Sequence, residues 1–94
     1  MKTHVKRIIV SYDTSKYAKS DGDLVYQFVF GRKSIKKTAD GKRTYSYPGL
    51  VRREDVVRLG QSVLMMRQED AEDFTAFLRK HHVAYITEHV WIEP

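Results

Sequence analysis

The stretch from Gln68 to His82 does most to limit what this chain can become. Glu69, Asp70, Glu72 and Asp73 stand in its first turns and Arg79, Lys80, His81 and His82 in its last, the charge order that complements a helix dipole at both ends. Ala71, Phe74, Phe77 and Leu78 supply one apolar stripe at helical spacing. On either side the period drops to two. From Val56 to Met66, one set (Val57, Leu59, Gln61, Val63, Met65) alternates with another (Arg58, Gly60, Ser62, Leu64, Met66), which predicts one long strand with the first set facing inward. Val83 to Glu93 alternates again, Ala84, Ile86, Val90 and Ile92 against Tyr85, Thr87, His89 and Trp91. The second of these faces has no obvious cover and is expected either beneath the middle segment or at a dimer interface, where Trp and Tyr are enriched.

The N-terminal half is less uniform. Val5 to Tyr12 is rich in β-branched residues and reads as a first strand ending at Asp13, with Asp13-Thr14-Ser15 as a turn. Leu24 to Phe30 carries two signals. Its acidic start at Asp21 and Asp23 and the spacing of Leu24 with Phe28 and of Val25 with Val29 fit a helix, whereas its aromatic and β-branched density fits a strand, the reading preferred here. Ala39-Asp40-Gly41-Lys42 is a turn signal and a candidate hairpin tip. Tyr45-Ser46-Tyr47 ahead of Pro48-Gly49 reads as a short extended arm, because proline keeps Tyr47 out of the helical region.

These elements predict a single α+β domain over 1–94, a ferredoxin-like βαββαβ split sheet with a basic loop or hairpin insertion. A strand at 24–30 would remove one helix and make the sheet richer in strands. A chain of 94 residues buries only about two thirds of its unfolded surface, so a homodimer is expected as a route to more core.

Charge narrows the function. Residues 32–58 hold nine of the seventeen Lys and Arg residues against three acids, Asp40, Glu54 and Asp55. The remainder of the chain is close to neutral, so the net charge of +5 resides in this middle segment. A positive field confined to one Gly-, Tyr- and Pro-containing stretch suits a polyanion; the alternative is a solvated basic loop with no partner. The absence of cysteine excludes a disulfide framework, a thiolate metal site and a cysteine nucleophile. The N-terminal apolar run, Ile8-Ile9-Val10, is far too short for a signal or a membrane span, which places the expectation in the cytoplasm, the host cytoplasm if the chain is viral or from a mobile element.

Two segments resemble the small CRISPR-associated proteins of the spacer-integration complex and the related VapD toxins. Ile8-Ile9-Val10-Ser11-Tyr12-Asp13 is similar to that family's first strand and its closing aromatic-Asp pair. Arg58-Leu59-Gly60-Gln61-Ser62-Val63-Leu64 is similar to its Arg, Gln and Ser-Val-aromatic strand, with Leu64 standing where the family has an aromatic. The resemblance implies a dimerising ferredoxin-like fold. It also implies a nuclease role for Asp13 as metal ligand and catalytic group beside its symmetry mate, with magnesium as the cation. That role competes with an Asx-type turn in which Asp13 bonds the backbone of Thr14 or Ser15.

The remaining candidates are weighed by their chemistry. The acids at the start of the 68–82 helix are accounted for by its dipole. His81 and His82 diverge by roughly 100° on a helix, so no recognised metal spacing arises. Tyr26, Phe28 and Phe30 would share one strand face, as core or as a platform for unpaired bases. The contacts favoured for nucleic acid are Lys33, Lys36, Lys37, Lys42, Arg43, Arg52 and Arg53 on phosphates, with Tyr45 and Tyr47 able to touch bases. The function expected is therefore a small nucleic-acid-binding accessory or regulatory protein that needs no cofactor. The alternatives are a metal-dependent nuclease using Asp13 across a dimer and an interaction or inhibitor module docking an acidic protein partner.

Overall fold

The computed structural model describes residues 4–13 and 19–93 of the chain. Strand β1 (Val5–Asp13) places Ile8 and Val10 in the core and leaves Ile9 half-buried, as alternation requires. The turn expected at Thr14 and Ser15 lies outside the described residues.

Helix α1 (Lys19–Phe30) follows, so the strand preferred for 24–30 is corrected. Val25 and Val29, one turn apart, are both fully buried, and Phe28 stacks on Phe74 and Phe77 with ring centroids 5.7 and 4.3 Å away. A strand would have set Val25 and Val29 on the face opposite to the three aromatics. β-Propensity measures fit to a half-buried pleated surface, and here burial of a helical face overrides it. Gly31, at φ 89°, ends the helix, a conformation glycine adopts without a Cβ penalty.

Strands β2 (Gly31–Thr38) and β3 (Gly41–Pro48) form a separate two-stranded ribbon. Thr38 pairs with Gly41 around Ala39 and Asp40, so the turn signal does mark a hairpin tip. At the ribbon's exit, a Cβ on Gly49 would collide with the backbone of Val29, Phe30 and Gly31. Backbone thus packs on backbone where α1 ends and the ribbon returns. A 3-10 turn (Leu50–Arg52) then buries Leu50.

The single long strand expected over 56–66 is instead a hairpin, β4 (Val57–Gly60) and β5 (Val63–Met66), turning at Gln61 and Ser62. Its inner face is also the other one. Leu64 and Met66 are buried, whereas Val57 and Leu59 are 45% and 51% exposed. The cause is register: Leu64 lies opposite Val10 and Met66 opposite Ile8, and the irregularity between Arg58 and Gly60 shifts β4. Helix α2 (Gln68–Lys80) and strand β6 (Ala84–Ile92) complete the chain.

The four-stranded sheet has the order β4-β5-β1-β6 and is antiparallel throughout. Both crossovers, β1-α1-β4 and β5-α2-β6, skip a strand, which is compatible with the ferredoxin-like split βαβ plan. Val25 and Val29 of α1, Phe74 and Leu78 of α2 and Ile8, Val10, Leu64 and Met66 of the sheet form one core, so both helices cover the same sheet face. Tyr12 closes one end with its ring edge-on to Phe74 at 5.2 Å.

For β6 the same register turns the second face toward the helices yet leaves Thr87, His89 and Trp91 exposed, Trp91 at 66%. Ile8 pairs with His89 and Val10 with Thr87, so Tyr85, Thr87, His89 and Trp91 lie on the helix side. The uncovered face carries Ile86, 68% exposed, together with Val90 and Ile92. Helix α2 ends without glycine: His82 takes φ 57°, its N–H donates to Arg79 O at 3.1 Å, and Val83 N–H donates to Leu78 O at 2.9 Å. This is the paired hydrogen bonding of a Schellman motif with buried Val83 as its hydrophobic partner.

No helix among the described residues is long and apolar enough to cross a membrane. The radius of gyration is 16.0 Å and the extents are 59 × 35 × 20 Å, against about 12 Å for the radius of a compact domain of this length. A ribbon of two eight-residue strands, roughly 25 Å long at about 3.3 Å per residue, accounts for the elongation.

Candidate nucleic-acid interface

Cross-strand pairing concentrates the basic residues. Lys36 stands opposite Arg43 and Lys37 opposite Lys42, two consecutive like-charge pairs beside the tip, while Arg32 pairs with Tyr47, Lys33 with Ser46 and Ser34 with Tyr45. Alternation then puts Arg32 on one face of the ribbon and Lys37 and Lys42 on the other. Like charges directly opposite each other destabilise a ribbon. Lys37 and Lys42 are exposed, so solvent screens but does not abolish that cost.

The ribbon's base opens into two adjoining clefts that share Phe30. One, of about 460 Å³, is lined by Phe30, Gly31, Arg32, Ser46, Gly49 and Arg52. The other, about 180 Å³, lies between α1 and the β4–β5 turn and is lined by Tyr12, Tyr26, Phe30, Arg58, Gln61 and Ser62. The Arg58 guanidinium sits 5.0 Å from the centroid of the Phe30 ring, within cation–π range, and its Nε donates to Gly60 O at 3.2 Å. Tyr26 is 63% exposed with its ring centroid 4.7 Å from that of Phe30. Burial raises the Tyr12 pKa above the usual phenol value, and the nearby Arg58 charge acts in the opposite direction.

The two arginines after the ribbon have different surroundings. Arg52 is exposed at the end of the 3-10 turn and lines the larger cleft. Arg53 turns to α2, where one terminal nitrogen donates to Asp70 at 3.1 Å and to Asp73 at 2.9 Å. These bonds, to Asp73 first and Asp70 second, raise its pKa further above the guanidinium range. Asp70 is buried and also lies 3.8 Å from Arg67. Arg67 in turn approaches Asp55 at 3.8 Å, and Asp55 pairs with Arg7 at 3.4 Å. The acid cluster thus does more than meet a helix dipole, since it ties the segment after the ribbon to α2 and β1. Spacing within α2 carries no sign of the Arg53 link, because that cation lies 17 and 20 residues before Asp70 and Asp73.

Asp13 is exposed at the end of β1, opposite Ala84, and lines a shallow depression with Ser11, Tyr85 and Ile86. Among the described residues no three His, Asp or Glu side chains gather to hold a metal ion. The ring of His81 lies 4.5 Å from that of Phe77. The row of Tyr26, Phe28 and Phe30 is split by the helix: Tyr26 and Phe30 meet on one side, and Phe28 enters the aromatic cluster of the core. The sequence offers Tyr26 and Phe30 as a strand-face platform and gives no sign of Arg58 as their partner; the i, i+4 pairing of the two rings follows only from reading 24–30 as helical.

The fold and this surface define an α+β split-sheet domain carrying a projecting basic ribbon with an aromatic and arginine-lined base. No family model matches the chain, and neither curated proteins nor solved structures give a match.

Proposed function

We propose that this protein binds nucleic acid in an accessory or regulatory role, holding phosphates along the β2–β3 ribbon and at its base. The observation that carries the proposal is the pair of cross-strand like-charge couples, Lys36 with Arg43 and Lys37 with Lys42. They weaken an isolated ribbon and become favourable when a polyanion lies along it. Arg52 extends the same positive surface, while Arg53 serves the fold through Asp70 and Asp73. In this reading the ribbon is an insertion into a ferredoxin-like domain.

The working unit is proposed to be a homodimer formed through the uncovered sheet face. Ile9, Val63, Met65, Ile86 and Val90 share that face by register. With strands about 4.8 Å apart and β1 and β6 nine residues long, the face measures roughly 30 by 15–20 Å. That is the order of the roughly 800 Å² each partner gives to a standard interface. The chain's 6970 Å² of accessible surface also exceeds the roughly 5,600 Å² of a compact monomer of this mass, an excess shared with the ribbon. Light scattering should give twice the chain mass for the wild type and the chain mass for Ile86→Lys; a monomeric wild type at high micromolar concentration removes the dimer.

The binding test is fluorescence anisotropy with labelled DNA and RNA, single- and double-stranded, across a salt series. Affinity should fall steeply with salt, and the Lys37→Gln/Lys42→Gln variant should flatten the log–log slope by about 1.4 to 1.8 if both lysines contact phosphate. No binding even at low salt overturns the proposal and directs the ribbon toward an acidic protein partner.

A further inference from the structure

We propose that the cleft between α1 and the β4–β5 turn receives one unpaired nucleobase, stacked on Tyr26 and bordered by Arg58, Gln61 and Ser62, so that the protein favours single-stranded nucleic acid over duplex. The inference rests on the binding function proposed above and names its substrate class.

Three observations converge on that cleft. Tyr26 is a large aromatic side chain left 63% exposed on a helix whose next turn supplies Phe30, 4.7 Å away between centroids. Phe30 supports it from one side and is itself held by the Arg58 guanidinium at 5.0 Å. The pair is therefore a braced platform, able to offer a ring face to a base, and every base has a π-face to return. Gln61 and Ser62 line the same cleft, and an amide and a hydroxyl together supply donors and acceptors for a base edge. Neither residue lies in the strand ladder; both belong to the β4–β5 turn.

Size and position agree. At about 180 Å³ the cleft is smaller than the roughly 300–1,000 Å³ of pockets for drug-sized ligands, which leaves room for one planar ring system and not for a base pair. Phe30 is also a wall of the larger cleft that holds Arg32 and Arg52, so a strand with one base on Tyr26 continues directly past two arginines toward the basic ribbon. A duplex presents base edges in its grooves and keeps the base faces stacked, so it reaches such a platform only after unstacking at a cost of about a few kcal/mol.

The test uses the intact protein with a labelled 12-nucleotide DNA strand, its duplex, the same strand with abasic sites throughout, and the matching RNA strand. Wild type should bind the single strands more tightly than the duplex and lose roughly 5- to 100-fold on the abasic strand, the range expected for one to a few stacked bases. Tyr26→Ala should bring intact-strand affinity close to abasic affinity with the salt slope unchanged, and Tyr26→Phe should restore it. The DNA and RNA arms report which sugar the site accepts. Equal binding of intact and abasic strands by the wild type, or an undiminished Tyr26→Ala, overturns the base site while leaving phosphate binding on the ribbon in place. Failure of every nucleic acid to bind at low salt overturns both, so the two failures are told apart. Because Tyr26 is exposed, far-UV circular dichroism of Tyr26→Ala should match wild type.

Discussion

Replacing Arg53 by methionine separates a structural arginine from a phosphate-binding one. Its two bonds are of similar length, 3.1 Å to Asp70 and 2.9 Å to Asp73, but they are unequal in worth. The Asp70 side chain is 7% exposed and that of Asp73 62%. A hydrogen bond to a charged group is worth about 1.5–3 kcal/mol, the range appropriate to the buried leg, while an exposed ion pair gives about 0.2–1 kcal/mol. After the substitution Asp70 keeps Arg67 as an ion-pair neighbour at 3.8 Å but gains no hydrogen bond from it, the Arg67 Nε and Asp70 Oδ2 both being buried without a hydrogen-bond partner, so part of the roughly 3–5 kcal/mol penalty for a stranded buried charge applies. The expected loss is therefore about 2–4 kcal/mol, a large share of the roughly 5–15 kcal/mol that holds a native domain. Urea unfolding at pH 7, followed by far-UV circular dichroism, measures it. Asp73→Ala should cost less than about 1 kcal/mol, and that effect should vanish in 1 M salt, where the screening length falls to about 3 Å. Arg53→Met should keep most of its cost in the same salt. An Arg53→Met loss below about 0.5 kcal/mol, on the scale of a neutral surface change, or an Asp73→Ala loss equal to it, would refute the division of roles. A stable Arg53→Met protein that binds nucleic acid poorly would return Arg53 to the phosphate set.

Three further outcomes follow from local geometry. Gly49→Ala drives a methyl into the backbone of Val29, Phe30 and Gly31 and should destabilise by about 3 kcal/mol or more, read as a lowered urea midpoint; a neutral result would mean that α1 and the ribbon exit are not in backbone contact. His82→Gly relieves a left-handed residue whose strain costs roughly 1–2 kcal/mol, set against a glycine entropy cost of about 0.5–1 kcal/mol. The net should be a thermal midpoint raised by a few degrees, and a lowered midpoint would refute the capping account. Tyr12→Phe addresses the raised phenol pKa: the folded state resists ionisation that the unfolded chain undergoes near pH 10. The stability tied to this group is complete below that pH and declines as pH rises toward the folded pKa. The variant's stability should decline less than wild type between pH 9.5 and 11, and identical curves would show that burial of the phenol is not felt.

Much of this architecture can be read in the chain itself, and the exceptions share a cause. β1, α2 and β6 are legible because their patterns are long and local: the alternation of Val5 to Asp13, and acids before bases around the stripe of Ala71, Phe74 and Leu78. The ribbon tip at Ala39 and Asp40 is legible for the same reason. The segment 24–30 misleads because Val25, Tyr26, Phe28 and Val29 suit either period, and only the presence of Leu50, Phe74 and Phe77 beside them selects the helix. In the 56–66 segment, alternation is present but its phase is ambiguous, and a turn at Gln61 and Ser62 with a shift at Arg58 to Gly60 reverses which residues meet the core.

By itself, the sequence determined that positive charge gathers between residues 32 and 58, that a dipole-matched helix precedes a final strand, and that tyrosines accompany the basic residues, because composition and short-range periodicity are properties of neighbours along the chain. Tertiary structure alone decided which lysines face each other across the ribbon, that Arg53 belongs to Asp70 and Asp73, and that Tyr26, Phe30 and Arg58 meet in one cleft. Those relations join residues 17 to 32 positions apart or hang on strand register. A shift of register by one residue exchanges every face while leaving the sequence pattern unchanged.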